Sequence, residues 1–371
     1  MQCKKISIQN FRNIRQAEVQ FQPGVNILIG ENAQGKTNLL ESIYFSALTK
    51  SFRTPHETDV ISFDEDFVRI LLEFENNQRS ETIQILFNKG KKKSVEYNHG
   101  KINRMNEIIG VFKIVLFSPE HLSLIKEGPG MRRNYLDIAI SQLRPVYLSS
   151  FQRYNRILKQ RNSLIKKAKE NRKAVMETIE FWNEQLAKEA ATITLYRSKY
   201  LERVREHVAF FFQEMTGENE IPEIRYNSSS KLKEADCFDF EKVKNSYLNL
   251  LSGNLEKELA AETTLYGIHR DDMDILLNGK FARLYASQGQ QRSLALALKL
   301  AEGEIIREEC GEYPVFLFDD VLSELDNQRK QYLVSKILGK QVILTTCEEL
   351  DSFKEKDASV HFIHVKEGKF F

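Results

Sequence analysis

The residues with the clearest chemical purpose form a glycine-rich segment near the amino terminus. It matches the pattern G-x-x-x-x-G-K-[ST], which cradles a triphosphate in backbone N–H groups where a helix begins. The apolar run VNILIG precedes it and the helical spacing of NLLESIYF follows, so the context fits as well. We therefore predict that ATP is bound by Gly30, Glu31, Asn32, Ala33, Gln34, Gly35, Lys36 and Thr37, with Lys36 at the β- and γ-phosphates and Thr37 at Mg²⁺.

A pair of carboxylates ends the apolar segment VFLFDD, residues 315–320. In P-loop enzymes a buried strand delivers such a carboxylate to the metal site. Asp319 is thus a predicted Mg²⁺ ligand, directly or through water, and Asp320 is predicted to polarise the attacking water. An acidic turn that only caps a helix is the alternative, and the P-loop elsewhere in the chain favours the metal site.

A third segment, SQGQQ, stands in front of the apolar helix LALALKLA, residues 294–301. A serine hydroxyl and a glycine N–H at a helix N-terminus can bind a phosphate. We predict nucleotide contacts from Ser287, Gly289 and Gln290, and we place Ser287 with Lys36 and Asp320 among the catalytic groups. A plain serine N-cap is the alternative.

The chain that must position these segments has the composition of an ordinary globular protein. Its 371 residues allow two or three domains, with 42% apolar and 29% charged residues. A formal net charge of +2 means that any nucleic-acid affinity must come from local patches. The four cysteines show no CxxC spacing, and no signal peptide or membrane span is visible, so we expect a cytoplasmic protein with no membrane partner.

Strand patterns dominate both ends of the chain. KKISIQNF and AEVQFQPGVNILIG alternate polar and apolar residues, and VRILLEFEN, ETIQILFNKGKKKSVEYNHGKI and KIVLFSPE predict hairpins in an antiparallel layer. Near the carboxyl end, YPVFLFDD and QVILTT predict strands on either side of a helix from about residue 327 to 338. An Asn278-Gly279 turn and the final SVHFIHVKEGKFF predict two more hairpins.

Between these ends the residue pattern becomes typical of helices, with no glycine and a single proline from residue 131 to 212. We predict three parts: residues 1–130 as the first part of an ATPase head, 131–255 as an inserted helical arm, and 256–371 as the second part of the head. The segment 151–175 carries nine Lys/Arg against one acidic residue, which fits either a solvated helix face or a DNA-contacting face. The KGKKK turn, residues 89–93, fits either a soluble hairpin tip or a set of phosphate contacts.

Together these segments resemble the bacterial RecF family of SMC-like ABC ATPases. The likeness runs nearly end to end through IQNFRNI, GENAQGKTNLLE, VLFSPEHLSLIKEGPGMRRNYLD, GIHRDD, SQGQQRSLALALKLAE and FLFDDVLSELD. SQGQQ resembles the LSGGQ signature, which binds the γ-phosphate of a nucleotide held by a second subunit. SELD, residues 323–326, resembles the D-loop. Thr345-Thr346 stands where these ATPases place a switch histidine, so we expect slow hydrolysis.

The resemblance implies an α/β fold: an ABC-type P-loop ATPase head assembled from both chain termini, with an inserted helical arm domain. It implies ATP and Mg²⁺ as cofactors and an ATP-dependent homodimer on double-stranded DNA and single-strand/double-strand junctions. It further implies work with RecR and RecO in loading RecA recombinase at gaps, close to the nucleoid. A DNA-binding clamp that uses ATP mainly as a ligand is the alternative.

Three smaller features carry weaker predictions. Arg12 in NFRN is either a nucleotide contact or a surface residue on an edge strand. Arg132-Arg133 and the run His269-Arg270-Asp271-Asp272 belong to segments that resemble the family. For the second run a structural or interface role is favoured over catalysis.

Overall fold

The computed structural model describes residues 1–217, 220–347 and 360–371. The chain divides into two units, which we call the head unit (residues 1–123, 214–216 and 295–371) and the arm unit (124–213 and 217–294). The sequence places the divisions after residues 130 and 255, whereas the units separate after 123 and 294. Residues 256–294 therefore group with the helical insert.

The amino-terminal part of the head unit is built on a six-stranded antiparallel sheet in the order β2-β1-β4-β5-β6-β7. Burial alternates along its long strands, as the polar/apolar alternation of the sequence predicts. The hairpin prediction is confirmed for these strands. The elements of this part are β1 (Gln2–Phe11), β2 (Ile14–Gln20), β3 (Val25–Ile29), α1 (Lys36–Leu48), a 3-10 turn (Glu57–Val60), β4 (Phe67–Asn76), β5 (Arg79–Asn88), β6 (Ser94–Tyr97), β7 (Gly100–Ile102), a 3-10 turn (Met105–Glu107), β8 (Ile114–Phe117) and α2 (Pro119–Leu122).

The arm unit is mainly helical. Pro129 and Pro145 each occupy the first turn of a helix, where a missing N–H costs nothing, and Asp239 caps a third helix by accepting from the Lys242 N–H. Among the described residues no helix is long and apolar enough to cross a membrane. The elements are α3 (Pro129–Leu143), α4 (Pro145–Lys167), α5 (Arg172–Thr216), β9 (Pro222–Asn227), a 3-10 turn (Glu234–Phe238), α6 (Phe240–Gly253), α7 (Leu255–Ala261), β10 (Asp272–Leu277), β11 (Lys280–Phe281), α8 (Ala282–Tyr285) and α9 (Gln288–Cys310). Residues 214–216 of α5 and 295–310 of α9 belong to the head unit.

A small sheet in the order β11-β10-β9 explains why residues 256–294 belong to the arm unit. The predicted Asn278-Gly279 turn is present, since Leu276 pairs with Phe281 across it. Strand β10 also pairs along its whole length with β9, which the sequence reading did not identify. Those ladder hydrogen bonds tie the segment to arm residues.

The carboxyl-terminal part adds β12 (Val315–Asp319), a 3-10 turn (Leu322–Glu324), α10 (Asn327–Ile337), β13 (Val342–Thr346), β14 (Val360–Lys366) and β15 (Lys369–Phe370). These strands join two from the first 123 residues in a second sheet, in the order β15-β14-β3-β13-β12-β8. All of its pairings are parallel except the β14–β15 hairpin. Strands β3, β8, β12 and β13 are buried throughout, as expected for a parallel sheet covered on both faces.

One strand prediction is wrong about its partners. The segment KIVLFSPE was assigned to the antiparallel layer, but β8 pairs in parallel with β12, Val315 opposite Ile114. Its four residues are all buried, and a strand covered on both faces cannot show the alternation that marks a half-exposed strand. The parallel sheet brings the carboxyl ends of β3, β12 and β13 to one edge, where ligands bind in open α/β sheets.

Candidate functional site

The P-loop lies where β3 ends and α1 begins, and its lysine is turned inward. The Lys36 ammonium donates to the carbonyls of Gly30 at 2.5 Å and Glu31 at 2.8 Å, and lies 3.5 Å from the Cys347 sulfur. Only 7% of the residue is exposed. Its ammonium is thus held by neutral carbonyls beside a pocket of ≈ 380 Å³, and among the described residues no carboxylate pairs with it, so an anion in the pocket would be a favourable partner.

Two glycines of the loop are required by the geometry. A Cβ on Gly30 would stand 2.3 Å from the Val365 carbonyl oxygen, and Gly35 has a φ of 114°, which strains any other residue. The β14–β15 turn braces the loop, because the Gly368 N–H donates to the Gln34 carbonyl at 2.8 Å. The loop is therefore held open in one conformation before any ligand binds.

The predicted metal ligands meet at the edge of the parallel sheet. The Thr37 hydroxyl donates to Asp319 Oδ1 at 2.7 Å, and the Thr345 hydroxyl donates to the same oxygen at 2.9 Å. Burial raises the pKa of Asp319, and the hydrogen bonds from Thr37 and Thr345 oppose that rise. Two oxygen ligands of one octahedral Mg²⁺ lie about 3 Å apart, so the Thr37–Asp319 pair fits this ion.

Asp320 lies one residue beyond Asp319 and faces the pocket. It has a φ of 50°, a left-handed conformation uncommon outside glycine, and its N–H donates to the Thr345 hydroxyl at 2.9 Å. This turn of the backbone separates the two carboxylates: Asp319 is 8% exposed beside Thr37, and Asp320 lines the cavity. The arrangement suits two roles: Asp319 can ligate a metal ion, and Asp320 can act as a base toward a water in the cavity.

Asn38 also lines the pocket, directly after the P-loop, and was not predicted. Three more unpredicted residues line it from elsewhere in the chain: Asn13, Arg53 and Cys347. Arg53 donates to the Asn38 side chain at 2.8 Å, and its positive charge lowers the pKa of Asp319. Cys347 follows β13, next to the position where a histidine was expected, and its thiol donates to the Asn32 side chain at 3.0 Å. They come from three separate segments, so spacing along the chain gives no signal for them.

Arg12 is not a surface residue on an edge strand, because it follows β1, which lies inside its sheet, and its nucleotide contact stays a prediction. Its guanidinium donates Nε to Glu41 Oε2 at 3.0 Å and Nη2 to Glu41 Oε1 at 2.7 Å, a bidentate pair with a carboxylate that is fully buried in α1. A further hydrogen bond to the Asp59 carbonyl completes the site. Arg12 therefore neutralises a helix carboxylate behind the P-loop.

The SQGQQ segment belongs to the arm unit and begins α9 with a reciprocal cap. The Gln290 N–H donates to Ser287 Oγ at 3.2 Å, and the Ser287 N–H donates to Gln290 Oε1 at 2.7 Å. The Gln290 amide also donates to Glu220, and the Gln291 amide donates to the Ala286 carbonyl at 3.0 Å. The side chains of Gln290 and Gln291 thus bind groups of their own chain, whereas the exposed Ser287 hydroxyl accepts one hydrogen bond and still has a proton to donate.

Large apolar side chains lie exposed directly before this cap. Leu284 is 66% and Tyr285 is 69% exposed on the short helix α8, and Phe281 beside them is 38% exposed. Lys280 and Arg283 lie over the Tyr285 and Phe281 rings. A cluster of exposed apolar residues with a charged fringe marks a binding surface.

The segments around Arg132 and Asp271 meet in the arm unit. Arg132 forms a bidentate pair with Asp272, both bonds 2.8 Å, and Arg133 donates to the Asp271 carbonyl at 2.8 Å. Asp271 is fully buried and accepts from the Ser229 N–H at 2.7 Å. The contacts are those of a structural junction between α3 and β10.

The basic segment 151–175 is partly neutralised inside the arm unit. Four of its cations pair with carboxylates, and one pair, Arg161 with Glu258 at 2.6 Å, is fully buried. The others join Arg153 to Glu189, Lys169 to Glu262 and Arg172 to Glu256. These pairs involve four of the nine cations, and the other five, Arg156, Lys159, Lys166, Lys167 and Lys173, are exposed.

Comparison with known proteins confirms the resemblance predicted from the sequence. The family model described as RecF/RecN/SMC N terminal domain matches residues 2–369. The DNA replication and repair protein RecF of Thermoanaerobacter sp. (strain X514) is 41% identical over 353 residues, 95% of each chain. A solved structure of the recombination mediator protein RecF-ATPrS in the RecFOR pathway has a TM-score of 0.91 at 36% identity, covering 99% of this chain and 97% of its own. A RecF-ATP structure of the same pathway has a TM-score of 0.89 at 35% identity, covering 100% of this chain and 99% of its own.

Proposed function

The chain belongs to the RecF family of SMC-like ABC ATPases, and from this premise we propose that it is an ATP-dependent DNA-binding protein of recombinational repair and replication. The observation that carries the proposal is the Thr37–Asp319 pair at 2.7 Å beside a P-loop pocket with a buried lysine. This constellation is suited to a nucleoside triphosphate and its metal ion. A protein that only binds DNA has no need of it.

Within the head unit, we assign binding of the triphosphate to the loop residues 30–37. Lys36 neutralises the β- and γ-phosphates, and the open N-terminus of α1 adds backbone N–H groups. Thr37 and Asp319 would hold Mg²⁺, which would supply positive charge next to the phosphates. Asp320 then takes a proton from the attacking water, so Lys36 and Asp320 carry the hydrolytic step together with Ser287 of a second copy.

The signature segment completes the site of another protomer. Ser287 is exposed at the start of a long helix, and its hydroxyl proton remains free to donate to a γ-phosphate while Gln290 caps it. Gly289 in the first turn leaves space for that phosphate. The exposed Leu284 and Tyr285 next to Ser287 give the two-copy interface an apolar component.

The proposed cycle uses ATP as a switch. ATP-bound protomers dimerise on double-stranded DNA and on junctions with single strands, and slow hydrolysis releases them. RecR binds the DNA-bound dimer, and RecO and RecA act in the same pathway, so that RecA is loaded at gaps. Turnover is weak and rises with DNA, in the cytoplasm close to the nucleoid.

One observation favours a second candidate, a DNA clamp with incidental hydrolysis. The pocket side of β13 presents Thr345 and Cys347, whose neutral side chains replace the histidine that senses the γ-phosphate in other ABC ATPases. Steady-state phosphate release separates the two candidates. Release that is accelerated by DNA supports the switch; no release from wild type, with DNA binding unchanged in Asp320→Asn, supports the clamp.

Sedimentation velocity with and without ATP tests the two-copy site. We expect wild type at micromolar concentration to shift from monomer to dimer with ATP. Ser287→Arg places a bulky side chain at the proposed phosphate contact and should remain monomeric while still binding ATP. A wild type that stays monomeric with ATP contradicts the proposal.

A matched variant controls for the helix cap. Ser287→Asp keeps a residue that caps as well as serine, but its carboxylate repels the γ-phosphate of the second copy. We expect Ser287→Asp to remain monomeric with an unchanged melting temperature. If Ser287→Asp dimerises like wild type, the serine is a cap and nothing more.

A further inference from the structure

We propose that a groove beneath the KGKKK turn, residues 89–93, binds the phosphate backbone of double-stranded DNA. We call it the lysine groove and define it by Lys91, Lys92, Lys93 and Lys101. The inference rests on the proposed function in one respect: it locates on this chain a surface for the DNA that the proposed function requires.

The lysine groove is a built concavity in the head unit. It has a volume of ≈ 880 Å³, more than twice that of the P-loop pocket. Lys91, Lys92 and Lys93 come from the β5–β6 turn, Lys101 comes from the edge strand β7, and His56 and Glu57 line the groove at the start of a 3-10 turn. Three segments of the chain therefore line one space, and four of their side chains are lysines.

One of the four lysines is held by contacts within the protein, and the other three are exposed to a ligand. Lys93 is nearly buried and donates to the Thr49 carbonyl at 2.6 Å and to Glu57 at 2.7 Å. This pairing neutralises Glu57, a carboxylate that lines the groove. Lys91, Lys92 and Lys101 are exposed, and among the described residues no ion pair joins them to a carboxylate.

The acidic neighbour of Lys101 lies outside the groove. Glu96 is opposite Lys101 in the β6–β7 pairing and accepts from the Gln84 amide at 3.2 Å, but it does not line the groove. The lining carries four lysines and one carboxylate, Glu57, so its net charge is positive.

The chemistry of the lining favours a duplex over a single strand. Proteins that bind single strands without sequence preference stack bases on exposed aromatic rings. The aromatic residue of the lining is Phe87, which is 5% exposed and covered by the Lys93 ammonium at 6.0 Å from the ring centre. A lining of lysines without an exposed ring can contact phosphates but not the bases. Such contacts are typical of binding to the backbone of double-stranded DNA.

The test measures duplex binding against salt concentration by fluorescence anisotropy, with ATP present. The groove variant carries Lys91→Gln, Lys92→Gln and Lys101→Gln. We expect its plot of log affinity against log salt to be shallower than that of wild type by about 3, one unit for each lost phosphate contact. Binding to a single strand of the same length should weaken less than binding to the duplex.

The matched control carries Lys4→Gln, Lys5→Gln and Lys89→Gln. It removes the same charge from the same sheet, but these lysines already pair with Glu75, Glu18 and Asp66. Its salt dependence should equal that of wild type. ATP binding and melting temperature are measured for both variants and should not change, because the substituted lysines lie outside the P-loop pocket.

The possible failures are distinguishable. A wild type that binds no DNA with or without ATP removes the proposed function itself. A wild type that binds DNA while the groove variant keeps its affinity and salt dependence overturns only the lysine groove. Equal losses for duplex and single strand overturn the assignment to double-stranded DNA.

Discussion

Two regions of the molecule gather charged residues, and they use them in opposite ways. In the head unit, Lys36 and Asp320 line an open pocket, and Asp319 is hydrogen-bonded to Thr37 at its wall. In the arm unit, Asp271 is fully buried and meets Arg197 at 3.6 Å, while Arg197 also pairs with Asp137 at 2.7 Å. We call this second set, with Tyr226 and Tyr247 donating to Asp271, the Asp271 cluster.

The Asp271 cluster and the pocket differ in the partners of their charged groups. The Asp271 cluster is closed: its charges are satisfied by each other, by hydroxyls and by the Ser229 N–H. In the pocket, Asp320 faces the cavity, and the partners of Lys36 in the described part of the chain are neutral groups. A charge cluster that is complete within the protein specifies a fold, whereas one that leaves capacity facing a cavity awaits a ligand.

The largest effect should come from opening the closed cluster. Asp271→Asn keeps the shape but removes the charge that faces Arg197, so the free energy of unfolding should fall by about 3 to 5 kcal/mol. Urea unfolding followed by circular dichroism measures the loss. A loss below about 1 kcal/mol would show that the buried charge is dispensable and would break the comparison.

Asp320→Asn is the counterpart in the pocket and should change activity without changing stability. Loss of a general base lowers the rate by about 100-fold or more, measured as steady-state phosphate release. Asparagine tolerates the left-handed conformation found here, so the unfolding free energy should stay within about 0.5 kcal/mol of wild type. Unchanged hydrolysis in this variant would remove Asp320 from the proposed chemistry.

Acid should act on the edge of the closed cluster. Burial lowers the pKa of His269 to about 4, and its ring accepts from the Tyr154 hydroxyl at 2.6 Å. The unfolded chain binds this proton near pH 6.5 and the folded chain does not, so stability is complete above pH 6.5 and falls toward pH 4. By pH 5 the loss from this group should be about 2 kcal/mol.

His269→Gln isolates that contribution, because its amide can replace both ring hydrogen bonds but does not titrate. Urea midpoints from pH 7 to pH 5 should fall less in His269→Gln than in wild type. If the urea midpoints of the two proteins fall in parallel, the His269 ring takes up its proton in the folded state as readily as in the unfolded chain.

The smallest effect concerns access to the open pocket. Cys347 is exposed there, whereas Cys3 and Cys237 are buried, so N-ethylmaleimide should label Cys347 before those two. ATP at about ten times its dissociation constant should slow that labelling about tenfold, because only the empty pocket reacts. Mass spectrometry after proteolysis measures the rate, and Lys36→Ala, which weakens ATP binding, should lose the protection.

The sequence reveals those parts of the site whose geometry depends on residues close together in the chain. A P-loop is a strand, a glycine turn and a helix start in one continuous run, so residues 30–37 and their conformation follow from spacing. The helix cap at Ser287 and the hairpin at Asn278-Gly279 are local for the same reason. Hydrophobic periodicity also located most strands and helices of the described chain.

The prediction of β8 failed because a strand buried on both faces carries no alternation to identify its sheet. Arg12 and Arg132 were visible as charged residues, but their partners, Glu41 and Asp272, lie 29 and 140 residues away. The sequence could not decide between a soluble hairpin tip and phosphate contacts for the KGKKK turn, again because partners distant in the chain are not visible. Only folding shows that Lys93 is engaged while its neighbours remain exposed.

The sequence by itself determined the P-loop, the acidic strand end and the family, because each depends on residues a few positions apart. The tertiary structure decided which charges are available. It closed the Asp271 cluster, paired cations of segment 151–175, and left Asp320 and three lysines facing open space. The reason is physical: the free energy of a charge depends on its solvation and on partners brought near by packing, and neither is a property of the residue's place in the chain.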